Sequence, residues 1–256
     1  MKRPLEDTLE LMRDLRRRCE WDAAQTHESL RPYLLEEAHE VDEAIRAKDD
    51  RMLREELGDL LLQVLFHSVV AEERGAFSFE QVAETFITKM KGRHPHLYGD
   101  GAREPWEQLK ARKRDSIIDG LPIEMPVLHR AFRLQDRAAG VGFDWPDATG
   151  PGAKVEEELA EVRRELADAP PRSGHAPPTD AAQSRIEGEI GDLLFSVVNL
   201  SRKCGVHPAL ALERANVKFV RRFRRIEELA KQRGVTVGEA GLDALDALWG
   251  EAKQEE

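Results

Sequence analysis

Two carboxylates, Glu189 and Asp192, stand three residues apart at the head of the apolar run Leu193-Leu194-Phe195-Ser196-Val197-Val198-Asn199-Leu200. That spacing puts both on one helix face. Acids at the edge of a buried helix repel each other and lose water, so they require a cation or a hydrogen-bonding partner. An earlier phrase, Glu157-Glu158-Leu159-Ala160-Glu161, carries Glu158 and Glu161 at the same offset. Both phrases occur twice. Glu36-Glu37-Ala38-His39-Glu40 and Glu56-Leu57-Gly58-Asp59-Leu60-Leu61 give a second set, Glu37, Glu40, Glu56 and Asp59. A single such phrase would read as solvated surface acid. The same acids at the same offsets ahead of the same Gly-Asp-Leu-Leu phrase argue otherwise. Gly58 and Gly191 sharpen the point, because a mid-helix glycine costs ~1 kcal/mol relative to alanine and its recurrence signals a close approach or room for a ligand.

If the two acidic helices of the later copy pack antiparallel, Glu158 and Glu161 face Glu189 and Asp192. Four carboxylates in a partly dry space demand cations. An all-oxygen set suits Mg²⁺, with Mn²⁺ as the alternative, and no thiolate or well-placed imidazole draws zinc. Mg²⁺ held this way keeps waters and meets a phosphate. Lys218 and Arg222, four apart on one helix, and Lys154, four before Glu158, supply cations for one. The stretch from Lys218 to Arg225 also fits a solvated basic face. A cationic rim around a metal–carboxylate centre is what phosphoryl hydrolysis needs. The His94-Pro95-His96 pair has a proline between its imidazoles and no third ligand nearby, and reads as a turn. Trp21 is either a core plug or a flat surface for a planar ligand.

The elements that must position these groups are helices. Apolar residues recur at helical period over 5–18, 32–47, 50–73, 103–118, 127–139, 153–168, 182–203 and 208–233, and no alternating stretch of useful length occurs. Leu34, Ala38, Val41 and Ile45 form the expected core stripe of the second helix. The third is apolar on most sides in its middle and should be a buried centre. Ser78 with Gln81 forms a capping box, residues 19–27 read as a loop, and Thr236 is expected to begin the last helix. The Gly/Pro-rich segment Gly140–Gly152 marks a boundary and has neither dinucleotide nor P-loop order. Residues 169–181 read as a solvated insertion. The expectation is an all-α fold of two tandem antiparallel bundles: a first domain at 1–120, a connecting helix and linker at 121–152, and a second, mainly catalytic domain at 153–256.

A net charge of -10 argues against a dedicated nucleic-acid surface. Two distant cysteines, Cys19 and Cys204, an amphipathic acidic start and no apolar run near the length of a membrane span point to the cytoplasm.

Glu-Glu-x-x-Glu followed by Glu-x-x-Asp, twice, with Asn216-Val217-Lys218-Phe219-Val220-Arg221-Arg222-Phe223 after the second copy, resembles the MazG family of all-α nucleoside triphosphate pyrophosphohydrolases. The resemblance runs from Leu5 to the Trp249 region. It implies Mg²⁺-dependent hydrolysis of NTPs or dNTPs to NMP and pyrophosphate, and a homodimer. It assigns Glu158, Glu161, Glu189 and Asp192 to metal and catalysis, and Lys154, Arg185, Lys218, Arg222 and Trp249 to the nucleotide. In the first copy Glu37, Glu40, Glu56 and Asp59 match a second metal site, and Lys89 and Arg93 match Lys218 and Arg222. Tyr33, Met52 and Ile87, however, replace Lys154, Arg185 and Asn216. The second copy is therefore expected to be the main catalyst. Glu20 departs from the proline of the family's Cys-Pro-Trp-Asp loop. Glu157 is either a general base or an exposed helix acid. Two other classes remain. A di-iron bundle typically needs Glu-x-x-His, which this chain lacks at the matching positions. A non-catalytic helical nucleotide- or polymer-binding protein would show salt-sensitive binding without metal-dependent turnover.

Overall fold

A computed structural model describes residues 4–99, 116–168 and 181–255. Every regular element among them is a helix, so the fold is all-α. The chain divides into two compact units, Met1–Arg103 and Glu104–Glu256. The helix expected at 103–118 and the insertion at 169–181 lie outside the described residues, apart from their last residues.

The first unit contains α1 (Pro4–Arg18), α2 (Glu20–Ala24), α3 (His27–Ala47), α4 (Asp50–Glu73), α5 (Phe79–Arg93) and α6 (Pro95–Tyr98). Residues 19–27 are not simply a loop, because α2 occupies their middle. Nor does α3 wait for Pro32. Thr26 and Ser29 form a reciprocal cap, Ser29 N–H donating to Thr26 Oγ1 at 3.2 Å and Thr26 N–H to Ser29 Oγ at 2.9 Å, which starts the helix five residues earlier. Lys48 then takes the left-handed conformation (φ 56°) and Asp49 caps α4, so only two residues turn the chain from α3 onto α4. The Ser78–Gln81 capping box is present. His94-Pro95-His96 leads into α6 with His94 Nδ1 2.8 Å from the Met90 carbonyl.

Leu9 and Met12 of α1, Leu30 of α3 and Leu65, Phe66, Val69 and Val70 of α4 form one buried cluster. Only the second half of α4 is buried, from Gln63 to Ala71. Its first half is not the bundle centre its composition suggested, since Leu57, Leu61 and Leu62 are exposed. Leu34 and Ile45 of the expected α3 stripe are exposed too, and α3 buries Leu30 and Ala44 instead.

The second unit contains α7 (Val127–Gly140), α8 (Thr149–Asp168), α9 (Ala181–Lys203), α10 (Pro208–Gln232) and α11 (Gly241–Gln254). The helix read as a connector, α7, packs on α9 and α10 within this unit. His129 Nδ1 of α7 lies 2.9 Å from Nε2 of His207, the residue that heads α10. Asp147 accepts the Thr149 N–H at 2.8 Å, and α8 accordingly starts at Thr149, not at 153. The last helix starts at Gly241, not Thr236, after a turn. Ile226, Leu229 and Ala230 of α10 and Leu248 of α11 form the second buried cluster. The paired helices α8 and α9 carry the acids. They run antiparallel: Lys154 and Glu158 lie on one cavity with Asp192, while Glu165 pairs with Arg185 at 2.7 Å.

Met12 is 2% exposed at the centre of the first cluster. Met12→Ala is expected to lower the unfolding free energy by about 2–5 kcal/mol, read from urea denaturation, and an unchanged midpoint would contradict the packing described.

Candidate active site

In each unit the paired helices bring three acids together. Ligand atoms of Glu158, Glu189 and Asp192 lie within 4.8 Å of one another, as do those of Glu37, Glu56 and Asp59. The fourth expected member of each set, Glu161 or Glu40, is outside this tightest grouping but still acts on it. Burial, and then the charges of Glu161, Glu158 and Asp192, push the Glu189 carboxyl above the usual glutamate range. Burial, and then Asp59 and Glu40, do the same to Glu37, and burial with Glu40 and Asp59 to Glu56. Carboxyls raised by their neighbours are the electrostatic mark of a site short of positive charge. Three oxygen donors without sulfur suit Mg²⁺ or Mn²⁺, so the residues present fit the expected ion.

The cations fall in two places. Lys154 Nζ is 2.6 Å from Glu158 Oε1 and 2.9 Å from Glu157 Oε1. Glu158 is 4% exposed, so this ammonium neutralises the most buried acid, and the two glutamates raise the lysine pKa in turn. Glu157 is exposed and held by that contact. Arg185 is directed to Glu165 of α8, one turn beyond Glu161. Farther along the chain, the Arg222 guanidinium sits 5.5 Å from the centre of the Trp249 ring, and Phe219 packs on the same indole at 5.5 Å. Lys218 is exposed on α10. The first unit has no lysine where Lys154 stands. Tyr33 occupies that position and packs edge-on to Trp21, which also meets Phe66 edge-on and is exposed.

A cavity of about 320 Å³ opens beside the acids of the second unit. Lys154, Glu158 and Asp192 border it on one side. Phe143 and Trp145, from the loop between α7 and α8, border it on another. That loop is pinned. The Asp144 carboxylate accepts from both Arg202 and Lys203, Lys203 Nζ also donates to the Trp145 carbonyl at 2.6 Å, and the indole lies where a Cβ at Gly150 would be. Glycine at 150 is thus required by the close approach of Trp145. The hydrogen bond from Arg202, followed by that from Lys203, holds the Asp144 carboxyl below the usual aspartate range. Asp144, Trp145, Arg202 and the cavity-lining Gln135 and Asn199 belong to none of the sequence motifs. A signal was present: Ser196 and Asn199 are polar residues set inside an apolar run, at positions where the first copy has Gln63 and Phe66.

Residues 25–98 match the model of the MazG nucleotide pyrophosphohydrolase domain. The chain is 45% identical to the nucleoside triphosphate pyrophosphohydrolase/pyrophosphatase MazG of Thermotoga maritima, over 97% of this chain and 95% of that protein. It is 38% identical to the nucleoside triphosphate pyrophosphohydrolase of Escherichia coli K12 over the same shares. It is also 39% identical to the uncharacterized protein YabN of Bacillus subtilis, over 93% of this chain and 49% of that protein.

Asp144→Asn tests the loop anchor. Because folding lowers this carboxyl's pKa, its stabilisation is complete above the ordinary aspartate range and is lost as pH falls through the lowered value. The variant is expected to be about 1–3 kcal/mol less stable at pH 7, with the gap closing in strong acid. Equal urea midpoints at pH 7 would rule the anchor out.

Proposed function

This chain belongs to the MazG family of nucleoside triphosphate pyrophosphohydrolases, and from that premise we propose that its second unit cleaves NTPs and dNTPs between the α and β phosphates, giving NMP and pyrophosphate. The convergence of Glu158, Glu189 and Asp192 within 4.8 Å, beside Lys154, carries this reading. These three carboxylates, with Glu161 next to them, would hold Mg²⁺. Bound there, the ion would neutralise phosphate charge and lower the pKa of a water. Lys154 stands at the same edge and can release Glu158 to meet a phosphate oxygen. Lys218 and Arg222 neutralise charge developing on the pyrophosphate, Arg185 adds a further cation, and Trp249 orients Arg222. Glu157, exposed and tied to Lys154, serves to steer that lysine.

The first unit keeps the acids of a second metal site but has Tyr33 in place of the lysine, and in this reading it is secondary. The functional form is a homodimer. Supporting that, Ile190, Leu194, Phe195 and Val197 of α9 and Val217, Phe219 and Val220 of α10 are all exposed in a single chain, apolar side chains that a second copy would cover. No described helix is long and apolar enough to cross a membrane, consistent with work on free nucleotides in the cytoplasm.

Incubation with each NTP and dNTP, with and without Mg²⁺, followed by product separation, tests the reaction. NMP and pyrophosphate that depend on Mg²⁺ are expected, and NDP with phosphate would overturn the cleavage position. Glu189→Gln should reduce turnover by a factor of at least about 100 with an unchanged circular dichroism spectrum, whereas Glu56→Gln should retain most of it. The reverse ranking would move the main site to the first unit. Sedimentation velocity should give twice the 29.0 kDa chain mass, and a monomer at micromolar concentration would refute the dimer.

A further inference from the structure

We propose that Glu165 is a positioning residue for the hydrolysis, holding the Arg185 guanidinium at the outer end of the acid cluster, where it meets the phosphate chain of the substrate. This deepens the hydrolase reading and rests on it. Glu158, Glu161 and Glu165 follow at intervals of three and four along α8, and Arg185, Glu189 and Asp192 at four and three along α9. Each set therefore lies on one helix face. Antiparallel seating sets the two faces against each other in three rungs. Glu158 and Asp192 border one cavity. After burial, Glu161 is the strongest influence raising Glu189. In the third rung Arg185 Nε donates to Glu165 Oε2 at 2.7 Å. The charge of Glu165 also reaches Glu189, behind those of Glu161, Glu158 and Asp192, so this rung borders the site.

The first unit has the same three rungs with the last one changed at both ends. Glu37 with Asp59 and Glu40 with Glu56 keep their acids, but the third rung is Ala44 and Met52. Ala44 is buried and Met52 half-buried. The arginine and its glutamate are absent together. A glutamate with a separate duty would have no reason to go with the arginine, whereas one that serves the arginine would.

The physical use of the pair follows from exposure. Arg185 is exposed and Glu165 half-buried. Such a pair adds little to the stability of a fold. It does restrict a long side chain that would otherwise lose many rotamers on meeting a ligand, and a carboxylate bonded at Nε sets the direction of the planar guanidinium beforehand. Lys154, paired with Glu158, is held in the same way at the other end of the file. Cations thus bracket the acids at both ends in the second unit and at neither of the matching positions in the first, where Tyr33 and Met52 stand.

The test measures kcat and KM for ATP with saturating Mg²⁺ in wild type, Glu165→Ala, Arg185→Met and the double variant, which carries the first unit's own rung. Glu165→Ala is expected to raise KM about fivefold with kcat changed by less than about twofold. Arg185→Met should raise KM at least as much, and the double variant no further. A pair that merely fastened α8 to α9 would leave KM where it is. A KM unchanged or lowered by Glu165→Ala overturns the proposal, and so does a further rise of the same size when Glu165→Ala is added to Arg185→Met. Either result leaves the hydrolase reading standing if NMP and pyrophosphate are formed. If wild type turns over no triphosphate, that reading fails separately, and the four proteins are compared by calorimetric titration with magnesium tripolyphosphate. A Kd raised by Glu165→Ala but not raised further in the Arg185→Met background sustains the positioning role. An unchanged Kd, or no binding by wild type, overturns it.

Discussion

Mutual repulsion among Glu158, Glu189 and Asp192 is the constraint on which the second unit is built. Three carboxylates do not gather within a few ångströms unless something holds them there. The restraint is the antiparallel contact of α8 with α9, supported by α7 and by the buried residues beneath. Lys154 relieves one of the three charges by pairing with the acid that has least water. The remaining excess leaves the trio short of positive charge. Packing energy gained over two long helices is thus converted into a local electrostatic demand.

The two units show the same device with different surroundings. Both gather a Glu–Glu–Asp trio, and burial with the neighbouring acids raises the carboxyls of Glu37 and Glu56 in the first and of Glu189 in the second. What differs lies one layer out. In the second unit Asn199 and Ala138 leave a cavity, and Asp144, clamped by Arg202 and Lys203, presents an indole to it. In the first unit Phe66 and Arg16 stand at the positions of Asn199 and Ala138, the Arg16 guanidinium 5.8 Å from the Phe66 ring centre and also paired with Glu73.

Much of this was legible in the residues. Helical period, the Ser78 cap and the duplicated acids fixed the class of fold and the location of the charge cluster, because these depend on local spacing. Boundaries were less legible where side chains rather than periodicity decide them. The Thr26–Ser29 cap starts α3 ahead of Pro32, and Asp147 starts α8 within a glycine- and proline-rich stretch. The glycines of that stretch looked like a linker, yet one of them, Gly150, is there to admit Trp145. Burial was the least legible property. Leu34, Ile45 and Leu57 read as core because they are apolar and correctly spaced, but a stripe declares only that it needs cover, not whether its own chain provides it. The placing of Gln135 was illegible for a similar reason, since the carbonyl that holds it, that of Phe195, lies sixty residues away.

The antiparallel seating of α8 on α9 has an evolutionary consequence. Glu158 lies ten residues before the end of α8 and Asp192 eleven after the start of α9, so roughly 15 Å of helix separates the acids from the ends that the intervening segment joins. Insertions and deletions in that segment act on helix tips, not on the chemistry. A change in the length of this stretch would therefore leave Glu158 and Asp192 where they are, which makes it a tolerant point for added sequence.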